Sequence, residues 1–167
     1  MTTVTVTTDL EAPADTVWAT VQTTEAFEHV TRGLVSLPAI RDLDQFREGA
    51  TISGTLRLFG VIPISRHRIT LDQVDPVRRR LRTIEGGGLI RSWIHDIEVD
   101  DIEVDDDPNG RPDHCRYTDR IEIDARWATP AVAAFARVFY RLRQRRWRAL
   151  ARVLGATTCV GRPAADH

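Results

Sequence analysis

The sequence predicts an α+β fold in which a curved antiparallel sheet of about six to seven strands wraps around one long C-terminal helix. Three observations predict it. Between Leu34 and Asp124 apolar residues recur mostly at every second position, and turn residues interrupt them at short intervals, as in an antiparallel meander. Only residues 130–154 sustain a helical period over many turns. A sheet with one free apolar face must bury that face, and this last helix alone is long enough to cover it.

The elements follow in order. Val4, Val6, Thr8 and Leu10 alternate with polar residues and make a first strand. Pro13 suits the first turn of a short helix whose apolar face is Val17, Trp18 and Val21. Thr24 is placed to cap a second short helix carrying Phe27 and Val30, and Gly33 ends it. Strands are then expected at 34–43, 51–59, 64–74, 78–85, 89–104 and 115–125. They are separated by Arg47-Glu48-Gly49, Gly60 to Pro63, Asp75-Pro76, Gly86-Gly87-Gly88 and Asp107-Pro108-Asn109-Gly110. The triple glycine has strands on both flanks and no P-loop lysine after it, so it reads as a turn or bulge rather than a phosphate cradle. Residues 1–155 are expected to form one domain, with 156–167 as a flexible tail.

Composition narrows the function. The chain has no lysine, which excludes a lysine Schiff base. Eight acidic residues fall between Asp96 and Asp107, and seven arginines without an acid fall between Arg137 and Arg152. The arginine segment is amphipathic and its apolar stripe needs a core, so no nucleic-acid partner is expected. Cys115 and Cys159 make no disulfide framework. His29, His67 and His95 lie on different elements without ligand spacing, so neither metal nor cofactor is expected. The N-terminus lacks a basic and an apolar signal region, and no apolar run reaches the length of a membrane span. The expectation is a cytoplasmic protein.

This order of elements, with "APADTVWATV" after the first strand, Trp93 and His95 in "RSWIHDIEV", "RYTDRIEI" at 116–123 and "FYRLRQRRWRALARVL" at 139–154, resembles the START-like (SRPBCC) superfamily, including its polyketide cyclase/dehydrase-like members. The resemblance covers about residues 3–154. It implies a helix-grip fold with a cavity between sheet and long helix that is open to small apolar or aromatic ligands. It carries no shared set of catalytic residues.

Strand alternation selects the inward side chains. Ile121 and Ile123 bring Cys115, Tyr117 and Asp119 inward; Ile97 and Val99 bring Trp93 and His95. A bulge near Asp100-Asp101 would keep Ile102 and Val104 on the same face. Ile69 and Leu71 carry His67 inward, whereas Ile62 and Ile64 favour the opposite phase, which would turn Arg66 and Arg68 inward instead. On the final helix the stripe Val132, Phe135, Val138, Phe139, Leu142, Ala149, Leu150 and Val153 is centred near Arg146. An unpaired buried guanidinium costs several kcal/mol, so Asp119 and Arg146 are expected to pair, either to fix helix against sheet or to anchor a ligand oxyanion; the alternative is that Arg146 snorkels to solvent. Trp93, His95, Tyr117, Asp119 and Arg146 would line one space walled by Leu56, Leu58, Ile97 and Phe139.

Two functions fit these residues. One is binding of a hydrophobic or aromatic small molecule. The other is a cofactor-independent cyclase, aromatase or dehydratase in which His95, with Asp119 and Arg146, acts as general base and His67 is the second acid/base candidate. The partner expected is a hydrophobic small molecule, with a homodimer as a further assembly.

Overall fold

A computed structural model describes residues 1–43, 46–102 and 114–160, with side chains to residue 157. Strand β1 (Thr2–Leu10) leads into helices α1 (Ala14–Val21) and α2 (Thr24–Thr31). Strands β2 (Val35–Ser36), β3 (Thr51–Leu58), β4 (Ile62–Asp75), β5 (Arg80–Gly87), β6 (Ile90–Asp101) and β7 (Cys115–Asp124) follow, and helix α3 (Thr129–Val160) is the last element among the described residues. The strands form one antiparallel sheet in the order β1-β7-β6-β5-β4-β3-β2. Helix α3 lies against β1 and β7, α1 packs at β6, and α2 sits against α3. This is the curved sheet gripping a C-terminal helix that the pattern of periods predicts.

Local departures have local causes. The strand expected over 34–43 is cut short at Ser36, because Pro38 removes a ladder donor and opens a 3-10 turn at Pro38–Asp42. This turn covers β3 at Gly54, where a β-carbon would collide with that of Ala39. The cap of α2 is Thr23, whose hydroxyl accepts from the N–H of Ala26 at 3.1 Å, while Thr24 is already helical. The β6–β7 ladder runs one-for-one from Ser92 to Asp101, so the bulge expected at Asp100-Asp101 is not there. Val104 lies outside the described residues.

The phase of β4 is settled by a register shift opposite Leu56 and Arg57. It absorbs one residue near Ile64, leaves Ile62 and Ile64 exposed, and turns His67, Ile69 and Leu71 inward. Arg66 and Arg68 point out. Helix α3 continues through Gly155, past the 130–154 span of the helical period, to Val160. A β-carbon at Gly155 would run into the carbonyl oxygen of Glu11, so this glycine permits close packing rather than a C-cap. Residues 161–167 of the expected tail lie outside the described residues. No helix among the described residues is long and apolar enough to cross a membrane.

Three apolar clusters fill the concave side. One joins Ile97, Tyr117, Trp147 and Leu71 to α1 and α2; one joins Trp93, Ile121, Ile123 and Tyr140 to the first half of α3; one joins Ile52 and Ile69 to Leu37 and Ile40.

Candidate functional site

A band of polar side chains runs across the inner face of β4, β5, β6 and β7. Alternation places His67, Thr83, Glu85, His95 and Asp119 there, and helix α3 adds Arg143 and Gln144. The band divides into two groups.

The first centres on Asp119, which is fully buried. Its Oδ1 accepts from Nε2 of His95 at 2.8 Å and from the hydroxyl of Tyr117 at 3.2 Å, with Nη1 of Arg143 at 3.3 Å. Its Oδ2 accepts from Nε2 of Gln144 at 3.1 Å, and the same amide donates to the carbonyl of Val6 on the edge strand β1 at 2.6 Å. Nη2 of Arg143 donates to the Tyr117 hydroxyl at 3.2 Å. Nη1 of Arg143 and Nε2 of His95 stand 3.5 Å apart. Both are donors to the carboxylate, so their contact is proximity rather than a bond. Burial raises the Asp119 pKa, but Arg143, His95 and Gln144 more than offset that and hold the carboxyl below its ordinary range. Burial pushes the Tyr117 and Tyr140 phenols well up. The Arg143 guanidinium also lies 5.5 Å from the centre of the Tyr140 ring, which tilts against His95 at 4.9 Å and stacks with Trp93 at 6.3 Å.

The second group is His67, Glu85 and Thr83. Nε2 of His67 lies 3.0 Å from Oε2 of Glu85, and the Thr83 hydroxyl donates to Oε1 at 2.8 Å. Burial raises the Glu85 pKa, but His67 more than offsets it and the carboxyl stays below its ordinary range. An ionised Glu85 makes Nε2 of His67 the N–H donor. Nδ1 of the same ring is then left buried without a hydrogen-bond partner among the described residues. Nε of Arg143 and Nε1 of Trp147 are buried and unpartnered in the same way.

Arg146 does not join Asp119. It is half-buried and donates at 3.0 Å to the carbonyl of Val30, near the end of α2, where a cation meets the negative end of the helix dipole. Arg143, one turn earlier, takes the inward position. The inner face of α3 is Ala133, Ala136, Tyr140, Arg143, Gln144, Trp147 and Ala151. Phe135, Val138 and Val153, counted toward the predicted stripe, are exposed. Small alanines let the helix approach the sheet, and the large inward residues carry polar tips, so hydrophobicity alone pointed the helix the wrong way.

Trp93, His95, Ile97, Tyr117 and Asp119 share the inner face as expected, and His67 joins them. The proposed walls fall into different apolar clusters. Leu56 packs with Leu37, Ile40, Ile52 and Ile69, Phe139 packs beside Tyr140 on the opposite side, and Leu58 is half-buried at the end of β3. Sequence reasoning missed Thr83, Glu85, Tyr140, Arg143, Gln144 and Trp147. The inward parity of Leu81 would have found the first two, and the spacing of Tyr140, Arg143, Gln144 and Trp147 the rest.

Residues 8–152 match the model of a family described as a domain of unknown function, DUF8410. The chain belongs to the DUF8410 family. No curated protein matches it. Among solved structures, this DUF8410 chain is similar to a protein from Chromobacterium violaceum at 12% identity and TM-score 0.64, over 89% of this chain and 96% of the other. It is also similar to a START superfamily protein from Mycobacterium smegmatis at 12% identity and TM-score 0.63, over 91% and 98% of the two chains. A third is norcoclaurine synthase from Thalictrum flavum in complex with dopamine and hydroxybenzaldehyde, at 12% identity and TM-score 0.52, over 84% and 86%. The DUF8410 chain therefore has the START-like, or SRPBCC, fold.

Proposed function

We infer that this DUF8410 protein binds a small, largely apolar aromatic molecule bearing oxygen groups, between helix α3 and the inner face of β4 and β5. The observation that carries the reading is the set of buried polar atoms without partners, drawn from both sides of the grip: Arg143 Nε and Trp147 Nε1 on the helix, and His67 Nδ1 on the sheet. A buried donor or acceptor left unmet costs about 1–3 kcal/mol, so three of them favour a ligand that supplies the missing bonds. The first two are donors and call for an acceptor oxygen. A hydroxyl suits His67, because it can donate to a neutral ring or accept from a charged one. Tyr140, whose ring lies 5.5 Å from the Arg143 guanidinium, and Trp93 stacked on it supply aromatic surface. The two complexed ligands of norcoclaurine synthase are aromatic molecules carrying oxygen groups, in keeping with this class.

A second reading is a cofactor-independent cyclase or dehydratase. The His67–Glu85–Thr83 relay favours it, since a carboxylate-oriented imidazole with a free nitrogen is the arrangement of a general base. On this reading the base is His67 and not His95, whose Nε2 is held by Asp119.

Native mass spectrometry of protein purified from its own host tests the reading. A co-purifying small molecule is expected, and Trp147→Phe and His67→Phe should each weaken its retention while Arg146→Ala retains it. Protein of bare polypeptide mass that takes up no aromatic compound would overturn the proposal. A bound molecule that His67→Gln keeps but no longer converts would select the enzyme.

A further inference from the structure

We propose that the end of the molecule formed by the β3–β4 turn, the β5–β6 turn and the start of α3 docks on an anionic lipid bilayer. This goes beyond ligand binding and does not depend on it. The antiparallel order places these three segments at one end of the sheet, because β3, β5 and β7 all finish there. Large apolar side chains stand in water at that end: Phe59 (59% exposed), Val61 (74%), Leu89 (65%) and Trp127 (83%), with Ile62 and Phe135 beside them. At the opposite end the large apolar side chains in water among the described residues are Val77, on the β4–β5 turn, and Val153, near the end of α3, and neither is aromatic.

Phe59 is the most telling of these. It occupies a left-handed position, φ 53°, followed by Gly60 at φ 76°, where asparagine or glycine is the easy choice. A bulky apolar residue there is disfavoured by its backbone and by its hydration; its N–H donates to the Leu34 carbonyl at 2.8 Å, which holds the turn but leaves the ring largely in water.

Charge fixes the kind of surface. Arg57, Arg66, Arg91 and Arg126 flank the apolar tips and are exposed. Their guanidinium groups make no hydrogen bond or ion pair among the described residues. The acids at this end are engaged: Glu85 by His67 and Thr83, Glu122 by Arg120, and Asp124 by the backbone N–H of Arg126. At the other end Arg79 is paired with Asp15 and Asp101, Arg116 with Asp9 and Arg152 with Glu11, and Arg78 is the exposed arginine of the β4–β5 turn that has no ion pair among the described residues. Apolar tips spread over separate turns, with an indole among them and free arginines around them, suit a fluid anionic interface. A protein partner would need a continuous complementary patch.

Co-sedimentation of the full chain with vesicles tests the proposal. Binding to phosphatidylcholine–phosphatidylglycerol vesicles should exceed binding to pure phosphatidylcholine by at least about tenfold and fall with salt. Phe59→Ser with Trp127→Ser, and separately Arg57→Glu with Arg91→Glu, should each lower it at least about tenfold, while Val77→Ser leaves it unchanged. Far-UV circular dichroism checks that the variants fold. In the unaltered protein, brominated lipid should quench Trp127, since the other three tryptophans are buried. Absence of binding to the anionic vesicles at low salt, binding that these substitutions leave unmoved, or unquenched Trp127 emission in the bound state would each overturn it. So would a dimer in sedimentation equilibrium that the same substitutions dissolve without any vesicle binding, which would assign this end to a second copy of the chain.

Discussion

Asp119 accepts from His95, Tyr117 and Gln144 and faces Arg143, all without reaching water. Removing one member of such a group leaves the others charged or polar in the interior, which is where the cost arises. Arg143→Ala and Asp119→Ala should each lower stability by about 3–5 kcal/mol. Arg146→Ala loses a single bond to the Val30 carbonyl and should cost only about 1 kcal/mol. Thermal melts of the three variants check this, and equal losses for Arg143→Ala and Arg146→Ala would contradict the assignment. The same melts have a pH signature. The native pKa values of Asp119 and Glu85 are depressed, so their stabilisation is complete above the unfolded carboxyl range. It is lost as pH falls from about 5 through the native values, and the unaltered protein should lose melting temperature over that range more steeply than Asp119→Asn.

At the scale of elements, strands and helix differ in how openly the sequence states their orientation. A strand has two faces, and one secure apolar pair fixes the rest. Ile121 and Ile123 therefore place Tyr117 and Asp119, and Ile97 and Val99 place Trp93 and His95. His67 remained open only because the shift near Ile64 breaks the count. A helix face can be rotated continuously, and α3 turns toward the sheet a face made of alanines and polar-tipped side chains. Its large apolar residues at Phe135, Val138 and Val153 drew the reading outward, away from Arg143. Gly155 was legible as a special position, but not as a packing one, since its partner is the distant Glu11 backbone. Gly155→Ala should therefore destabilise the protein by about 1–3 kcal/mol, although alanine is the better helix former. Denaturant unfolding checks the sign; a stabilised variant would show that α3 can shift away from Glu11.

At the scale of the molecule, the interior is a polar band between apolar clusters. The half beside β7 closes on itself through Asp119 and Arg143. The half beside β4 ends in an imidazole nitrogen without a partner, matched by unpartnered donors on the helix. The account's central claim is that a ligand completes these bonds. The most direct measurement is the long-range ¹⁵N–¹H spectrum of the histidine rings, with the indole N–H region beside it, during titration with 2,7-dihydroxynaphthalene, an apolar aromatic with oxygens at both ends. The prediction is that His67 Nδ1 and the Trp147 indole N–H shift together on binding, while the exposed Trp127 indole does not. A titration in which His67 and Trp147 stay fixed, whether the compound binds elsewhere or not at all, would contradict the claim.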